Sequence, residues 1–111
     1  MVRATANFKQ QVESLVASIP EGAVMTYGQL AALCNQPKAA KIVGGIAHFG
    51  NPDLPWHRVV NRRGGLANGY PGGRRNQGLH LKAEGIKVSN DHIVDLKLYL
   101  FDPTAGNGNK L

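Results

Sequence analysis

The sequence predicts a mainly α-helical single domain with a small β element, in which two helices form a winged-helix-like helix-turn-helix. Apolar residues recur at spacings of three and four in the first half of the chain, which is typical of amphipathic helices. Two of the predicted helices are short and are joined by a tight turn. Alternating apolar residues near the end of the chain favour a pair of strands.

Length and composition limit the chain to one modest domain. It has 111 residues, of which 42% are hydrophobic, as expected for a globular protein with one core. The only cysteine, Cys34, excludes an internal disulfide and a cysteine-rich zinc site. No apolar run reaches the ~18–20 residues of a membrane span, and the first residues lack the apolar segment of a signal peptide. We therefore expect a cytoplasmic monomer without membrane contact, metal or cofactor.

The charge of the chain favours a polyanionic partner. Thirteen Lys and Arg residues against seven Asp and Glu residues give a net charge of +6, with an isoelectric point near 9.8. Such an excess is common in proteins that bind nucleic acid. Many basic proteins bind no nucleic acid, so the charge alone leaves both possibilities open.

The first predicted helix begins near Thr5 or Asn7, as its cap, and ends before Pro20-Glu21-Gly22. Its apolar face comprises Phe8, Val12, Leu15, Val16 and Ile19. The second helix follows the short apolar pair Val24-Met25. Thr26 caps this helix, and Gln29 three residues later completes a capping box. Its buried side comprises Leu30, Ala31, Leu33 and Cys34.

The third predicted helix spans residues 38–49, after a turn that places Pro37 at the first helical position. With the second helix it forms the candidate helix-turn-helix. Gly44 and Gly45 lie inside this helix, where each glycine costs about 1 kcal/mol relative to alanine. Either the pair packs tightly against another helix, or its smooth face lets a polymer backbone approach closely.

The second half of the chain is rich in loops. Residues 51–73 surround the compact segment 55–60, and such loops commonly carry function. A fourth helix is predicted over 74–84 and ends at Gly85. Strands are expected at Ile86 and Val88 and at the alternating residues Val94, Leu96, Leu98 and Leu100. The domain then covers residues 1–101, and the polar residues 102–111 are expected to form a flexible tail.

The single tryptophan, Trp56, allows two interpretations. A lone tryptophan most often belongs to the core of a protein. Its surroundings in the sequence are loop-like and basic, which favours instead an exposed surface on which a nucleobase can stack. The neighbouring His57 would by itself be interpreted as a structural histidine.

Four linked motifs identify a family. The segments TYGQLA (26–31), PKAAKIVGG (37–45), GNP (50–52) and PWHRVV (55–60) resemble the C-terminal domain of the O6-alkylguanine-DNA alkyltransferases, in unbroken order between Phe8 and Val88. Those enzymes carry Pro-Cys-His-Arg-Val, in which the cysteine accepts the alkyl group. Here Trp56 occupies the acceptor position. This replacement marks the alkyltransferase-like proteins, which bind alkylated guanine without repairing it.

The resemblance implies roles for individual residues. The third helix would enter the minor groove of DNA, where Lys41 takes the place of the family's arginine finger, although lysine lacks the planar guanidinium. Tyr27 would help to rotate the target nucleotide out of the duplex. The implied lesion pocket comprises Tyr27, Trp56, His57 and Tyr70. The implied DNA-binding residues are Lys38, Ala39, Ala40, Lys41, Gly44, Gly45 and Arg58.

The resemblance also explains why the chain has polar residues of a catalytic relay although it lacks the nucleophile that the relay would activate. Asn51, His57 and Glu84 match the relay that activates the cysteine of the enzymes. Because Trp56 replaces that cysteine, no catalytic residue is expected, and the surviving polar residues are expected to orient the pocket. Cys34 is expected to lie on the buried side of the second helix, away from Trp56, and is no substitute.

The function implied is that of a non-enzymatic sensor that binds and flips O6-alkylguanine in duplex DNA and marks it for nucleotide-excision repair. Its expected partners are the damaged duplex and the damage-recognition proteins of that repair system. One alternative is an alkyltransferase with an unexpected acceptor, against which Trp56 argues. The other is a general helix-turn-helix regulator, which leaves the segment 55–60 unexplained.

Overall fold

The computed structural model describes residues 6–104. In chain order its elements are α1 (Ala6–Ser18), β1 (Met25–Thr26), α2 (Tyr27–Leu33), α3 (Ala40–Phe49), a 3-10 helix (Trp56–Arg58), β2 (Val59–Val60), α4 (Gly73–Ala83) and α5 (Leu96–Tyr99). The predicted fold class, mainly helical with a small β element, is confirmed. The cap predicted at Thr5 lies outside the described residues. Asn7 is not a cap, because α1 already includes it.

Two apolar clusters form the core. The larger one joins α1, α2 and α3. Of the predicted apolar face, Phe8, Val12 and Val16 of α1 and Ile19, directly after the helix, are buried in it. The smaller one lies between α4 and the C-terminal segment; its buried residues are Val24, Val60, Leu66, Leu81, Ile86 and Val94. Helices α2 and α3 therefore rest on one side of α1, which fixes the helix-turn-helix as a unit.

The start of α2 agrees with the sequence analysis. The Thr26 hydroxyl accepts a hydrogen bond from the Gln29 backbone N–H at 3.0 Å, and the Gln29 side-chain oxygen accepts from the Thr26 backbone N–H at 3.1 Å. This capping box satisfies two backbone donors that the helix leaves open. The side-chain amide of Gln29 also donates to the Phe101 carbonyl at 2.6 Å, so the cap holds the C-terminal segment against the domain.

Helix α3 begins later than predicted. The Ala39 N–H donates to the Gln36 carbonyl at 2.9 Å, which closes a turn that contains Pro37 and Lys38. Ala39 is the N-cap, and the Val43 N–H donates to its carbonyl at 3.0 Å. The prediction that Pro37 is the first residue of the helix was wrong, because Pro37 and Lys38 belong to this turn instead. The turn follows Asn35, which has a left-handed backbone conformation (φ 64°).

A two-stranded parallel sheet brings the two halves of the site together. Met25 pairs with Val59, and Thr26 pairs with Val60. Since Tyr27 directly follows β1 and Trp56 precedes β2 by three residues, the pairing places the start of α2 beside the 3-10 helix. The short sheet thus positions residues that are some thirty apart in the chain.

The C-terminal part of the prediction needs correction. Helix α4 spans Gly73–Ala83, one residue earlier than predicted at each end, and Gly85 (φ 87°) follows it as the expected stop. Val88 does bridge Val94 in antiparallel fashion, but Leu96 and Leu98 lie in α5. The Asp95 carboxylate caps that helix by accepting a hydrogen bond from the Lys97 N–H at 2.9 Å. This cap favours a helix over the strand that the alternating apolar residues predicted. Leu100 bridges Val24 instead.

Asp102 and Thr104 make local hydrogen bonds at the C-terminal end of the described chain. Asp102 accepts hydrogen bonds from the backbone and hydroxyl of Thr104, at 2.9 and 2.6 Å. The rest of the predicted tail, residues 105–111, lies outside the described residues. Between residues 6 and 104, no helix has both the length and the apolar character needed to cross a membrane.

Candidate nucleic-acid interface

A cavity of about 500 Å³ opens between α2, α3 and two loops. It is lined by Tyr27, Gly44, Ala47, His48, Gly50, Pro52, Leu54, Trp56, Ala67, Gly69, Tyr70 and Pro71. Three of the four residues predicted for the lesion pocket, Tyr27, Trp56 and Tyr70, therefore meet in one place. The fourth, His57, is not among the lining residues and lies behind the wall. The lining is mainly apolar and aromatic, and such a surface suits a flat organic ring.

Trp56 is held rigidly in the cavity wall. Its side chain is buried, with 9% exposure, and its indole N–H donates to the Asn51 carbonyl at 2.8 Å. Gly50 allows the chain to pass close to the indole, because a Cβ there would lie 2.4 Å from the Ile46 carbonyl oxygen and 3.1 Å from the Trp56 ring. Both interpretations of Trp56 are thus partly met: it packs against the core and also lines an open cavity.

Two tyrosines stand at the cavity. Burial raises the pKa of the Tyr27 phenol and that of Tyr70 above 10.0, so both are neutral at physiological pH. The Tyr70 hydroxyl lies 2.6 Å from Nδ1 of His80, and the two rings meet edge to face. The His80 ring in turn contacts His57, with centroids 5.8 Å apart. His80 was not predicted from the sequence, because a single histidine on a polar helix carries no signal.

His57, Arg58 and Glu84 form an ion-paired cluster behind the cavity. The Glu84 carboxylate lies 2.7 Å from His57 Nε2 and accepts from Arg58 Nη2 at 2.7 Å and from Arg58 Nε at 3.0 Å. It also accepts from the Gly22 backbone N–H at 3.1 Å. Burial of the carboxylate acts to raise the pKa of Glu84, but the hydrogen bonds from Arg58, His57 and Gly22 outweigh it and lower the pKa to about 2.

This cluster changes the roles assigned to two residues. All three guanidinium nitrogens of Arg58 donate within the protein, because Nη1 also donates to the Ile19 carbonyl at 2.8 Å. The guanidinium of Arg58 is therefore held within the protein in this structure, and its contact with DNA stays a prediction. Asn51 does not join His57 and Glu84: its side-chain oxygen accepts from the Asp53 N–H at 2.9 Å. The structure brings together two of the three predicted relay residues.

The outer face of α3 is smooth and basic at one end. Lys41, Gly45, His48 and Phe49 are exposed. A Cβ atom added at Gly44 or at Gly45 would meet no atom within 4 Å, so close helix packing does not explain these glycines. Lys38 is exposed in the preceding turn, whereas Ala39 is buried with 1% exposure and Ala40 is half-buried. Ala39 belongs to the core and not to an outer contact surface.

One fully buried polar residue, Gln77, connects the two walls of the cavity. Its side-chain oxygen accepts from the Ala67 N–H at 2.7 Å, and its amide donates to the carbonyls of His57 (3.1 Å) and Val59 (3.0 Å). Sequence analysis missed this residue, because a glutamine in a polar helix is ordinarily exposed.

The single cysteine of the chain lies away from the cavity. Cys34 is buried at the end of α2 and lines a separate groove with residues of α1, and burial raises the pKa of its thiol. A raised pKa leaves less of the reactive thiolate. In the part of the chain that the structure describes, no group of three His, Cys, Asp or Glu side chains could hold a metal ion.

The chain is similar in sequence to several known proteins. Residues 7–86 match the model of the 6-O-methylguanine DNA methyltransferase DNA-binding domain. A DNA base-flipping protein of Escherichia coli K12 is 45% identical over 95 residues, which cover 84% of this chain and 73% of that protein. Alkyltransferase-like protein 1 of Schizosaccharomyces pombe is 33% identical over 84% of this chain and 89% of its own length. A methylated-DNA–protein-cysteine methyltransferase of Salmonella typhimurium is 43% identical, but only 46% of its length is covered.

Solved structures with bound DNA share the fold. Atl1 of S. pombe, in complex with damaged DNA containing O6-carboxymethylguanine, matches with a TM-score of 0.81 and 30% identity, over 91% of this chain and 100% of Atl1. OGT of Mycobacterium tuberculosis in complex with DNA matches with a TM-score of 0.64 and 32% identity, over 76% of this chain and 52% of OGT. The chain therefore belongs to the family defined by the DNA-binding domain of 6-O-methylguanine DNA methyltransferase, and within it to the alkyltransferase-like proteins.

Proposed function

We propose that the protein is a non-enzymatic sensor of DNA damage, which binds duplex DNA containing O6-alkylguanine and holds the flipped base in the cavity beside Trp56. The observation that carries this proposal is that Trp56 is fixed in the cavity wall; the resemblance assigns the acceptor cysteine of the enzymes to this position. The proposed site is thus a cavity with an aromatic ring in its wall and, among the described residues that line it, no reactive group that could accept an alkyl group.

The chemistry of the site opposes alkyl transfer. Transfer would require a nucleophile in line with the O-alkyl carbon. The indole nitrogen of Trp56 cannot serve, because its lone pair belongs to the aromatic system and its proton is donated to Asn51. No cysteine is among the residues that line the cavity, and Cys34 lies in a different groove. His57 and Glu84 are therefore positioning residues that hold the wall segment.

The size and lining of the cavity suit a flipped base. Pockets for small molecules commonly measure about 300–1,000 Å³, and this cavity, at about 500 Å³, falls within that range. Flipping a nucleotide costs a few kcal/mol and is easiest for a damaged, poorly paired base. Stacking on an aromatic ring is worth about 1–3 kcal/mol, so contact with Trp56 offsets much of this cost.

The surface of α3 suits the duplex. The open, glycine-bearing face of the helix lets a sugar-phosphate backbone approach, and Lys38 and Lys41 are exposed beside it. We assign Lys41 to fill the space that the flipped base leaves and Tyr27, at the cavity mouth, to guide the rotating nucleotide. The net charge of +6 supports binding to phosphates.

Binding without repair requires a second system to remove the lesion. We propose that the bound protein, a monomer, marks the site for the damage-recognition proteins of nucleotide-excision repair, as the family resemblance implies. We place the protein where DNA is, in the cytoplasm and on the nucleoid if the source is bacterial.

One experiment tests the function directly. The protein is titrated with duplexes that differ only in one O6-methylguanine or guanine, and the intact mass of the protein is then measured after stoichiometric incubation. We expect tighter binding to the damaged duplex, no mass increase of one methyl group, and an unaltered lesion in the recovered DNA.

The same experiment separates the alternatives. A methylated protein would overturn the sensor and restore an enzyme with an unexpected acceptor. Equal binding to the two duplexes, with sequence preference instead, would support a general helix-turn-helix regulator. An otherwise identical incubation with the Trp56→Cys variant provides a matched control for detection, because that variant places a thiol at the acceptor position.

Substitution of Gly45 tests whether α3 faces the duplex. Gly45→Leu adds a side chain into open space, so the fold should gain up to about 1 kcal/mol from helix propensity. The same side chain would collide with a closely approaching backbone, and we expect the Kd for both duplexes to rise at least about tenfold, or 1.4 kcal/mol. Ala17→Leu, at an exposed position of α1, is the control. Retained affinity of Gly45→Leu would exclude close approach at this face.

A further inference from the structure

The last residue of α3 carries an exposed aromatic ring that the proposed site does not use. The Phe49 side chain is 83% exposed, the highest value among the exposed large hydrophobic residues of the described chain. Leaving a phenylalanine in water forgoes the free energy that its burial would supply. Phe49 is not among the residues that line the cavity. Its ring is braced by His48, which it meets edge to face with centroids 4.5 Å apart.

Helix geometry places Phe49 on a defined side of α3. Successive residues of an α-helix are rotated by about 100°, so Gly45 and His48 lie within about 40° of Lys41. Gly44 lies about 60° to one side of Lys41, toward the cavity that it lines, and Phe49 lies about 80° to the other side. The exposed face of the helix is therefore flanked by the cavity on one edge and by Phe49 on the other.

We infer that Phe49 is a second contact of the protein with duplex DNA, an apolar wedge that enters the minor groove on the far side of α3 from the lesion. The inference rests on the proposed function, because it takes α3 as the helix that lies in the groove. Phe49 follows Lys41 by eight residues, roughly 12 Å along the helix axis, which corresponds to about three to four base steps. The wedge would act at a step well separated from the flipped base.

The surroundings of Phe49 favour DNA over a protein as its partner. Helix α3 carries no acidic residue, and its exposed face combines Lys41 and His48 with Gly45, while the half-buried Glu13 of α1 approaches the end of the helix at Gly50. Phe49 thus continues a face that suits a polyanion in charge and in shape. Proteins that bend DNA from the minor groove commonly insert an apolar side chain between base steps, and the opened step then buries that side chain.

The test compares Phe49→Ala with Phe49→Leu, which keeps an apolar wedge, and with the control Leu98→Ala, which removes another exposed apolar residue (68%) from α5. Binding is measured by fluorescence polarisation on the guanine and O6-methylguanine duplexes. Bending is measured by energy transfer between dyes at the duplex ends. 2-Aminopurine, placed in turn at two to five base steps from the lesion, reports local unstacking.

We expect Phe49→Ala to weaken binding to both duplexes about tenfold, to reduce the bend, and to remove a 2-aminopurine signal that wild type and Phe49→Leu retain. The Leu98→Ala variant should behave as wild type. If wild type prefers the damaged duplex while Phe49→Ala binds and bends DNA equally well, this inference fails and the sensor stands. If wild type shows no lesion preference but Phe49→Ala still loses affinity and bend, the wedge stands and the sensor fails. Loss of self-association in Phe49→Ala without a change on DNA would overturn the wedge in favour of a protein contact.

Discussion

Glu84→Ala is expected to lower the free energy of unfolding by about 3–5 kcal/mol, because it leaves the charge of Arg58 without its partner in a largely buried site. The two side chains are only 16% and 11% exposed, for Arg58 and Glu84 respectively. Removal of the carboxylate would also free His57 and the Gly22 N–H from their shared acceptor. Urea unfolding followed by circular dichroism measures the loss. Glu21→Ala, at an exposed glutamate nearby, is the control and should change stability by less than about 0.5 kcal/mol.

The pH dependence of stability provides a second measurement of the same cluster. The pKa of Glu84 falls from 4.5 to about 2 on folding, so the unfolded chain binds the proton more readily. This carboxylate therefore contributes about 3 kcal/mol of stability above pH 4.5, and the contribution is lost progressively as the pH falls toward 2. Wild type should lose more stability between pH 6 and pH 3 than Glu84→Ala does. Parallel pH profiles of the two proteins would contradict the assigned role.

Trp56→Ala is expected to remove lesion discrimination and to lower stability by about 3–5 kcal/mol, because it deletes a large side chain that packs in the core and lines the cavity. Loss of one base–aromatic stack, worth about 1–3 kcal/mol, corresponds to a fall in the affinity ratio of damaged to undamaged duplex by about 5- to 150-fold. The ratio of the two Kd values is the measurement, since a general loss of folded protein lowers both affinities alike.

A conservative variant separates stacking from structure. Trp56→Phe keeps an aromatic face and loses the N–H that donates to the Asn51 carbonyl. It should retain a substantial part of the preference for the damaged duplex, whereas Trp56→Ala should retain none. An unchanged ratio of Kd values in Trp56→Ala would show that the base does not stack on this residue.

The parts of the fold that depend on neighbouring residues were predictable. The Thr26 capping box and the apolar face of α1 use contacts within a few positions of the chain, and both are present. Where two local signals competed, the prediction failed. Leu96 and Leu98 alternate as in a strand, but Asp95 supplies a cap, and a short helix results. Pro37 is suited to the first position of a helix, but in the structure it belongs to the turn that precedes Ala40.

The site was less predictable, because its decisive contacts link distant residues. Trp56 and Tyr27 could be placed in one pocket only through family resemblance, and the short parallel sheet is what brings them together. An arginine that pairs with a carboxylate inside the protein and an arginine that binds phosphate look alike in sequence. Nothing near Arg58 in the chain therefore indicated that its guanidinium pairs with Glu84, 26 residues away. The same holds for Gln77, whose partners lie 10 to 20 residues earlier.

The side-chain amide of Gln77 stiffens the side of the cavity that is formed by Ala67 and the segment of Trp56. Moving Ala67 away from the segment that carries Trp56 would strip hydrogen bonds from a fully buried amide, at about 1–3 kcal/mol for each group left unsatisfied. The cavity is also lined by His48 and Pro52, which are exposed to solvent. With a flipped base in the cavity, we therefore expect larger adducts to extend toward this solvent-exposed side, while the spacing between Trp56 and Ala67 stays constant from one lesion to the next.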